Sequence, residues 1–135
     1  MNRWDAQEVL GFVAAMTSPR AQRFPVARGE WEEQRGDQMC LCPMASACIA
    51  VQQRPYQWRK RKDWKSRVLR QFPVLGRVRI PVQDVPAALF PAGFSALLGL
   101  THIPLWLCIQ ELNDRARWSR QRIATWLQQR ATVAA

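Results

Sequence analysis

The stretch THIPLWLCIQELNDRARWSRQRIATWLQQ, Thr101–Gln129, decides the fold class. Ile103–Leu112 is apolar at nearly every position except Gln110 and Glu111. Pro104 suits a first helical turn, where a backbone N–H would lack an intrahelical partner anyway. The segment therefore reads as a helix buried on most sides, ending at Asn113-Asp114, a pair suited to a turn or cap. Ser119 caps a second helix, whose Ile123, Trp126 and Leu127 fall at helical spacing on one face. Arg117, Arg120, Arg122 and Arg130 face largely elsewhere, toward water or a partner. The expectation is a helical hairpin over residues 103–130 at the centre of the core.

Outward from that hairpin, Trp4–Met16 reads as a short amphipathic helix with Val9, Phe12, Val13 and Met16 on one face. Asp5 and Glu8 sit in its first turns, where negative charge suits the helix dipole. Residues 17–38 read mostly as loop, with Trp31 as an anchor. In MCLCPMASACIAV, residues 39–51, Pro43 opens a helix whose Ala45, Ser46, Ala47 and Ala50 allow close packing against a neighbour. Within Tyr56–Phe72, Trp64, Val68 and Phe72 share a helical face and leave the charges outside. Val78, Ile80 and Val82 alternate with Arg77, Arg79 and Gln83, the period of a strand. Pro81 confines that strand to a sheet edge. No second strand of equal quality follows. The fold class is mainly α, α+β at most: a compact single-domain helical bundle over residues 1–135, with one small β element.

The chain has 135 residues, a net charge of +10 and seven tryptophans. The charge is uneven. Residues 1–39 hold five basic and six acidic side chains, residues 40–76 eight and one, and residues 77–135 seven and three. Such a balance favours nucleic acid, an anionic membrane or an acidic protein as partner. Val85–Gln110 contains no Asp, Glu, Lys or Arg and is long enough to span a bilayer. Pro86, Pro91, Pro104, Gly93 and Gly99 would interrupt a spanning helix there, so a broken, buried core segment is the expectation, with no membrane partner. The start, MNRWDAQEVL, lacks the apolar run of a secretory signal, which leaves four reduced cysteines in the cytoplasm.

The basic-aromatic segment Arg54–Arg70 carries the main binding expectation. Arg59, Lys60, Arg61, Lys62, Lys65, Arg67 and Arg70 neutralise phosphates, and Trp58 and Trp64 stack on exposed bases. Arg117, Arg120 and Arg122 extend the same face. Three other constellations weigh less. WSRQRIATWL, residues 118–127, has the pattern of the first helix of a helix-turn-helix, but Gln128–Ala135 is too short for the recognition helix such a motif needs. Cys40, Cys42, Cys48, Cys108 and His102 are zinc-ligand types without paired Cys-x-x-Cys or His-x-x-x-His knuckles. Cys42, His102 and Asn113 follow the order of a Cys–His–Asn hydrolase, and a cysteine just before Pro43 has its thiolate favoured by a helix N-terminus. Phosphate-binding glycine loops and paired carboxylates are missing, which removes nucleotide hydrolysis and glycoside cleavage.

Trp31, the small-residue helix start Cys40–Ala47, the helix end Ile109–Asp114 and the Ser-started Trp118–Leu127 together resemble a family of small phage and actinobacterial proteins of unknown function. That family often has Cys-x-x-Gly-Ala and a Trp before Asn-Asp, where this chain has Cys40-Leu41-Cys42-Pro43-Met44 and Leu112. The basic segment Arg54–Arg70 lies outside the shared pattern. The resemblance implies a cytosolic accessory protein of a phage or mobile element, with inhibition of a host defence, as by an anti-CRISPR protein, as one specific role. It assigns no catalytic residue.

The expected function is binding of nucleic acid or a nucleoprotein complex without catalysis and without a cofactor. The alternatives are a cysteine-dependent hydrolase or zinc-bearing protein using Cys40, Cys42 and His102, and a protein–protein module for an acidic partner. The sequence sets no oligomeric state.

Overall fold

A computed structural model describes residues 4–52, 63–89 and 100–134, with side chains described as far as Thr132. The expectations that rest on Tyr56, Trp58, Arg59, Lys60, Arg61 and Lys62, and on residues 90–99, lie outside the described residues.

Helix α1 is Ala6–Thr17. Asp5 caps it, accepting a hydrogen bond from the Glu8 N–H at 3.0 Å, so one of the first-turn donors is satisfied. Val9, Phe12, Val13 and Met16 are buried as their spacing predicts. Ser18 ends α1 and caps the single turn α2, Pro19–Gln22, by accepting from the Ala21 N–H. A hairpin follows. Strand β1, Glu32–Arg35, pairs antiparallel with β2, Gln38–Leu41, and Gly36 supplies the positive φ, +57°, in the two-residue turn between them.

Helix α3, Pro43–Ala50, lies at the centre of the molecule: every side chain from Pro43 to Ile49 is buried. It touches α1, α2, α6 (Leu105–Asp114) and α4 (Trp64–Gln71). Its alanines, serine and cysteine keep its girth small, so four neighbours can approach at once. The four-residue turn α5, Val74–Arg77, leads into β3, Arg79–Pro81, which pairs antiparallel with β4, His102–Pro104. Helix α7, Arg120–Ala134, buries Ile123, Ala124, Leu127 and Ala131.

The architecture is mainly helical with short antiparallel strand pairs, within the expected class. Four details differ. Two strand pairs form where one small element was expected, because Glu32–Arg35 pairs through its backbone although its side chains are polar. Ile103 belongs to β4, so the helix begins at Leu105, with Pro104 extended at its N-cap. Val82 turns into a short 3-10 segment, Val82–Asp84, instead of continuing β3. Helix α7 packs chiefly on α1 and only lightly on α6, so the stretch 103–130 does not form the central unit by itself. Ile123, Leu127 and Ala131 join Val9, Phe12, Val13 and Met16 of α1 in the hydrophobic core. No helix among the described residues is long and apolar enough to cross a membrane.

Candidate nucleic-acid interface at the start of α7

The link between α6 and α7 is set by backbone geometry. The Arg115 and Ala116 N–H groups donate to the Glu111 carbonyl at 2.9 and 3.2 Å, and the Trp118 N–H reaches back to the Leu112 carbonyl at 2.9 Å. Between them Arg117 adopts φ +57°, a left-handed conformation that turns the chain sharply and is uncommon outside glycine. Ser119 then caps α7 as its sequence predicts. Its hydroxyl accepts from the Arg122 N–H at 3.1 Å, and its carbonyl from the Ile123 N–H at 3.0 Å.

Two clefts adjoin this cap and share Ser119 and Gln121. One, of about 350 Å³, is lined by Thr17, Gln22, Val26, Arg28, Ser119, Arg120 and Gln121. The other, of about 430 Å³, is lined by Trp118, Ser119, Gln121, Arg122, Thr125, Trp126 and Gln129. Neither lining contains a carboxylate.

The guanidinium of Arg28 donates to the Asn113 carbonyl at 2.5 Å, and that of Arg120 to the Phe24 carbonyl at 2.5 Å. Each bond occupies one nitrogen of a five-donor group. Burial lowers the basicity of both. Repulsion from Arg117 adds to the effect at Arg28, and Asp114 offsets part of it. Both stay cationic, since arginine does not lose its proton in proteins. In the second cleft the Arg122 guanidinium lies 4.2 Å from the centroid of the Trp118 ring. Trp126 is half-buried and meets the Trp4 ring edge to face. Among the described residues, Arg35, Arg77, Arg115 and Arg130 have carboxylate partners, while no carboxylate lies within ion-pair distance of Arg28, Arg117, Arg120 or Arg122.

The other candidates scatter. Lys65 and Arg70 are exposed on α4, and the Lys65 ammonium sits 4.4 Å over the Trp106 ring. Trp106 in turn stacks on Trp31 at 6.4 Å, so Trp31 does anchor its loop. Trp64 is a correction: at 1% exposure it fills the core and has no face for a base. Its spacing to Val68, one helical turn, had assigned it to that buried face. Arg67 lies against it, 4.9 Å from the ring centroid. Of the expected basic face, Arg59, Lys60, Arg61 and Lys62 lie outside the described residues; helix α4 packs on α3 and α5, while α7 packs on α1 and α6. Arg120 is half-buried against Phe24 instead of facing outward.

The cysteine constellations do not assemble. Cys42 caps α3, its Sγ accepting from the Ala45 N–H at 3.4 Å, as its place before Pro43 suggests. Yet burial outweighs the help of the helix N-terminus and pushes the thiol up to about 12. Cys48 and Cys108 are pushed by burial to about 12 as well. His102 is exposed on β4 beside Thr101. The Asn113 side chain is committed to the Ala27 carbonyl and to Asp114. Among the described residues, no three His, Cys, Asp or Glu side chains converge on a metal position.

Arg28, Trp118 and Trp126 escaped the sequence reading as site residues. One signal was available: beyond Asp114 the chain contains no acid, while Arg115, Arg117, Arg120, Arg122 and Arg130 alternate with two tryptophans. No protein-family model matches the chain, and no curated protein or solved structure is significantly similar to it.

Proposed function

We propose that the protein binds nucleic acid, free or within a nucleoprotein complex, through the surface at the start of α7. The observation that carries this reading is the pair of adjoining clefts, which combine Arg28, Arg120 and Arg122 with two tryptophans and no carboxylate. Cations with no carboxylate at ion-pair distance attract phosphates, and aromatic faces beside them take bases. Lys65 and Arg70, exposed on α4, and the basic residues 59–62 of the sequence add positive charge that raises encounter rates. In this reading the chain acts as one small helical domain, with the 103–130 segment presenting the site, in the cytoplasm. Inhibition of a host defence complex that carries nucleic acid is the specific role the family resemblance suggests.

The test is a salt titration of binding to short oligonucleotides of mixed sequence. Three phosphate contacts predict a slope of about −2 in log K against log salt for a single strand. Arg122→Glu should weaken binding and reduce the slope by about 0.7. Reversal of Arg61, Lys62 and Lys65 together tests this added charge. Loss of binding there with an unchanged Arg122→Glu variant would move the interface to α4. If no oligonucleotide binds at low salt, an acidic protein becomes the better partner for the same cations. A hydrolase reading has the buried Cys42 thiol against it, and Cys42→Ala should leave activity intact.

A further inference from the structure

We infer that this surface is built for single-stranded nucleic acid: the Arg28–Arg120 cleft holds a backbone phosphate, and the adjoining Trp118–Arg122–Trp126 groove holds an unpaired base of the same strand. The inference rests on the nucleic-acid reading above and adds to it the form of the ligand.

The two clefts differ in chemistry. In the first, Arg28 and Arg120 converge from opposite ends of the chain, each fixed by one hydrogen bond to a backbone carbonyl. Both side chains line a pocket whose other polar residues are Thr17, Gln22, Ser119 and Gln121. Fixed guanidinium forks with no carboxylate among them suit a phosphate oxygen. In the second cleft the polar groups are uncharged amides and hydroxyls apart from Arg122, and the apolar lining comes from Trp118 and Trp126. The Arg122 guanidinium lies 4.2 Å from the centroid of the Trp118 ring, and Arg122 is exposed, so a base can pack on its outer side. Trp126 stands one helical turn farther on, about 6 Å along the axis. Trp4 holds that ring at 80° to its own, which fixes the platform before a ligand arrives.

A duplex hides base faces in its stack, and only its groove edges are readable. A groove made of an indole and a guanidinium plane offers faces, which only an unstacked base can use. Gln121 stands on both clefts, so a phosphate in one and a base in the other belong to neighbouring units of one strand.

The experiment compares, by fluorescence anisotropy at low salt, the intact protein with a labelled oligothymidylate, an abasic oligomer of equal length and a duplex of equal length. The thymidylate should bind about tenfold more tightly than the abasic strand, the range one base–aromatic stack supplies. Arg122→Ala and Trp126→Leu should each bring the thymidylate down to the abasic level, with thermal melts run alongside. Arg122 is exposed, so its variant stays informative where Trp126→Leu unfolds. Equal binding of abasic and thymidylate strands overturns the inference and leaves the nucleic-acid reading standing. Duplex binding as tight as the single strand does the same. A base preference that survives in folded Arg122→Ala and Trp126→Leu proteins places the base elsewhere and also overturns it. Binding of none of the three strands overturns the function itself.

Discussion

The indoles of Trp4 and Trp126 meet edge to face, with ring centroids 5.9 Å apart at 80°. Trp4 in turn lies under the Arg130 guanidinium, 5.9 Å from its ring centroid, and Arg130 pairs with Asp84 at 3.3 Å. One side of the Trp118–Arg122–Trp126 groove is thus held from behind by a chain of contacts that begins on a 3-10 turn and ends on α7. Trp4→Ala should cost about 3–5 kcal/mol, the usual loss for a buried tryptophan. Denaturant unfolding measures it, and a loss below about 1 kcal/mol would mean the ring contributes little to holding α7.

Helix α3 has no room to grow. Ala47 is fully buried, and overpacking a tight site costs about 1–3 kcal/mol. Ala47→Leu should therefore lower the unfolding midpoint clearly, while Ala14→Leu on the exposed side of α1 should leave it nearly unchanged.

Ser119 does two jobs, since its hydroxyl satisfies the Arg122 N–H and lines both clefts. Ser119→Ala should cost about 1 kcal/mol through the lost cap. Ser119→Asp keeps the cap and puts a carboxylate between the clefts. It should retain stability yet weaken oligonucleotide binding more than Ser119→Ala does, a contrast that separates the structural role from the electrostatic one.

The thiols make stability fall in alkali. Cys42, Cys48 and Cys108 are raised from an ordinary 9.0 to about 12 in the folded chain. Above pH 9 the unfolded chain therefore holds fewer protons than the folded one. Stability from this source is complete below that pH and declines as pH rises through the folded values. Unfolding curves between pH 7 and 11 should show the decline, and Cys48→Ala should make it shallower. At neutral pH the native thiols should resist alkylation and react only once the chain is unfolded.

Arg117 occupies a left-handed position that disfavours side chains with a Cβ by roughly 1–2 kcal/mol. Arg117→Gly should match or exceed the parent in stability, and Arg117→Val should fall below it. Thermal melts of the pair decide whether the α6–α7 corner needs this backbone shape.

Much of the helical framework was legible because its signals are local. Asp5, Pro43 and Ser119 mark helix starts within a few residues, and the Val9–Met16 stripe repeats at helical spacing. The β1–β2 hairpin was harder: Glu32–Arg35 is polar throughout, so only the Gly36-Asp37 turn hinted at it. The start of α6 was misplaced because Ile103–Leu112 is apolar almost without break and carries no period to separate strand from helix. The centrality of α3 is likewise a matter of small side chains, which leave no pattern of their own. The site was legible in half. Arg120 and Arg122 stand out in a segment without acids, but nothing local ties them to Arg28, whose guanidinium reaches Asn113 across most of the chain. Burial, which removed Trp64 from the binding face and silenced Cys42, is a property of the assembled core.

The packing of α7 on α1 also imposes an order on biosynthesis. Helix α1 is synthesised well before α7, so the part of its apolar surface that α7 covers stays open until α7 emerges, although α3 and Phe72, which meet the rest of it, are already made. Until then that open part needs a temporary cover, and closure waits for contacts between distant parts of the chain, which form slowly. A nascent chain stalled before Ile123 should thus be a client of chaperones, and folding should come as a late event.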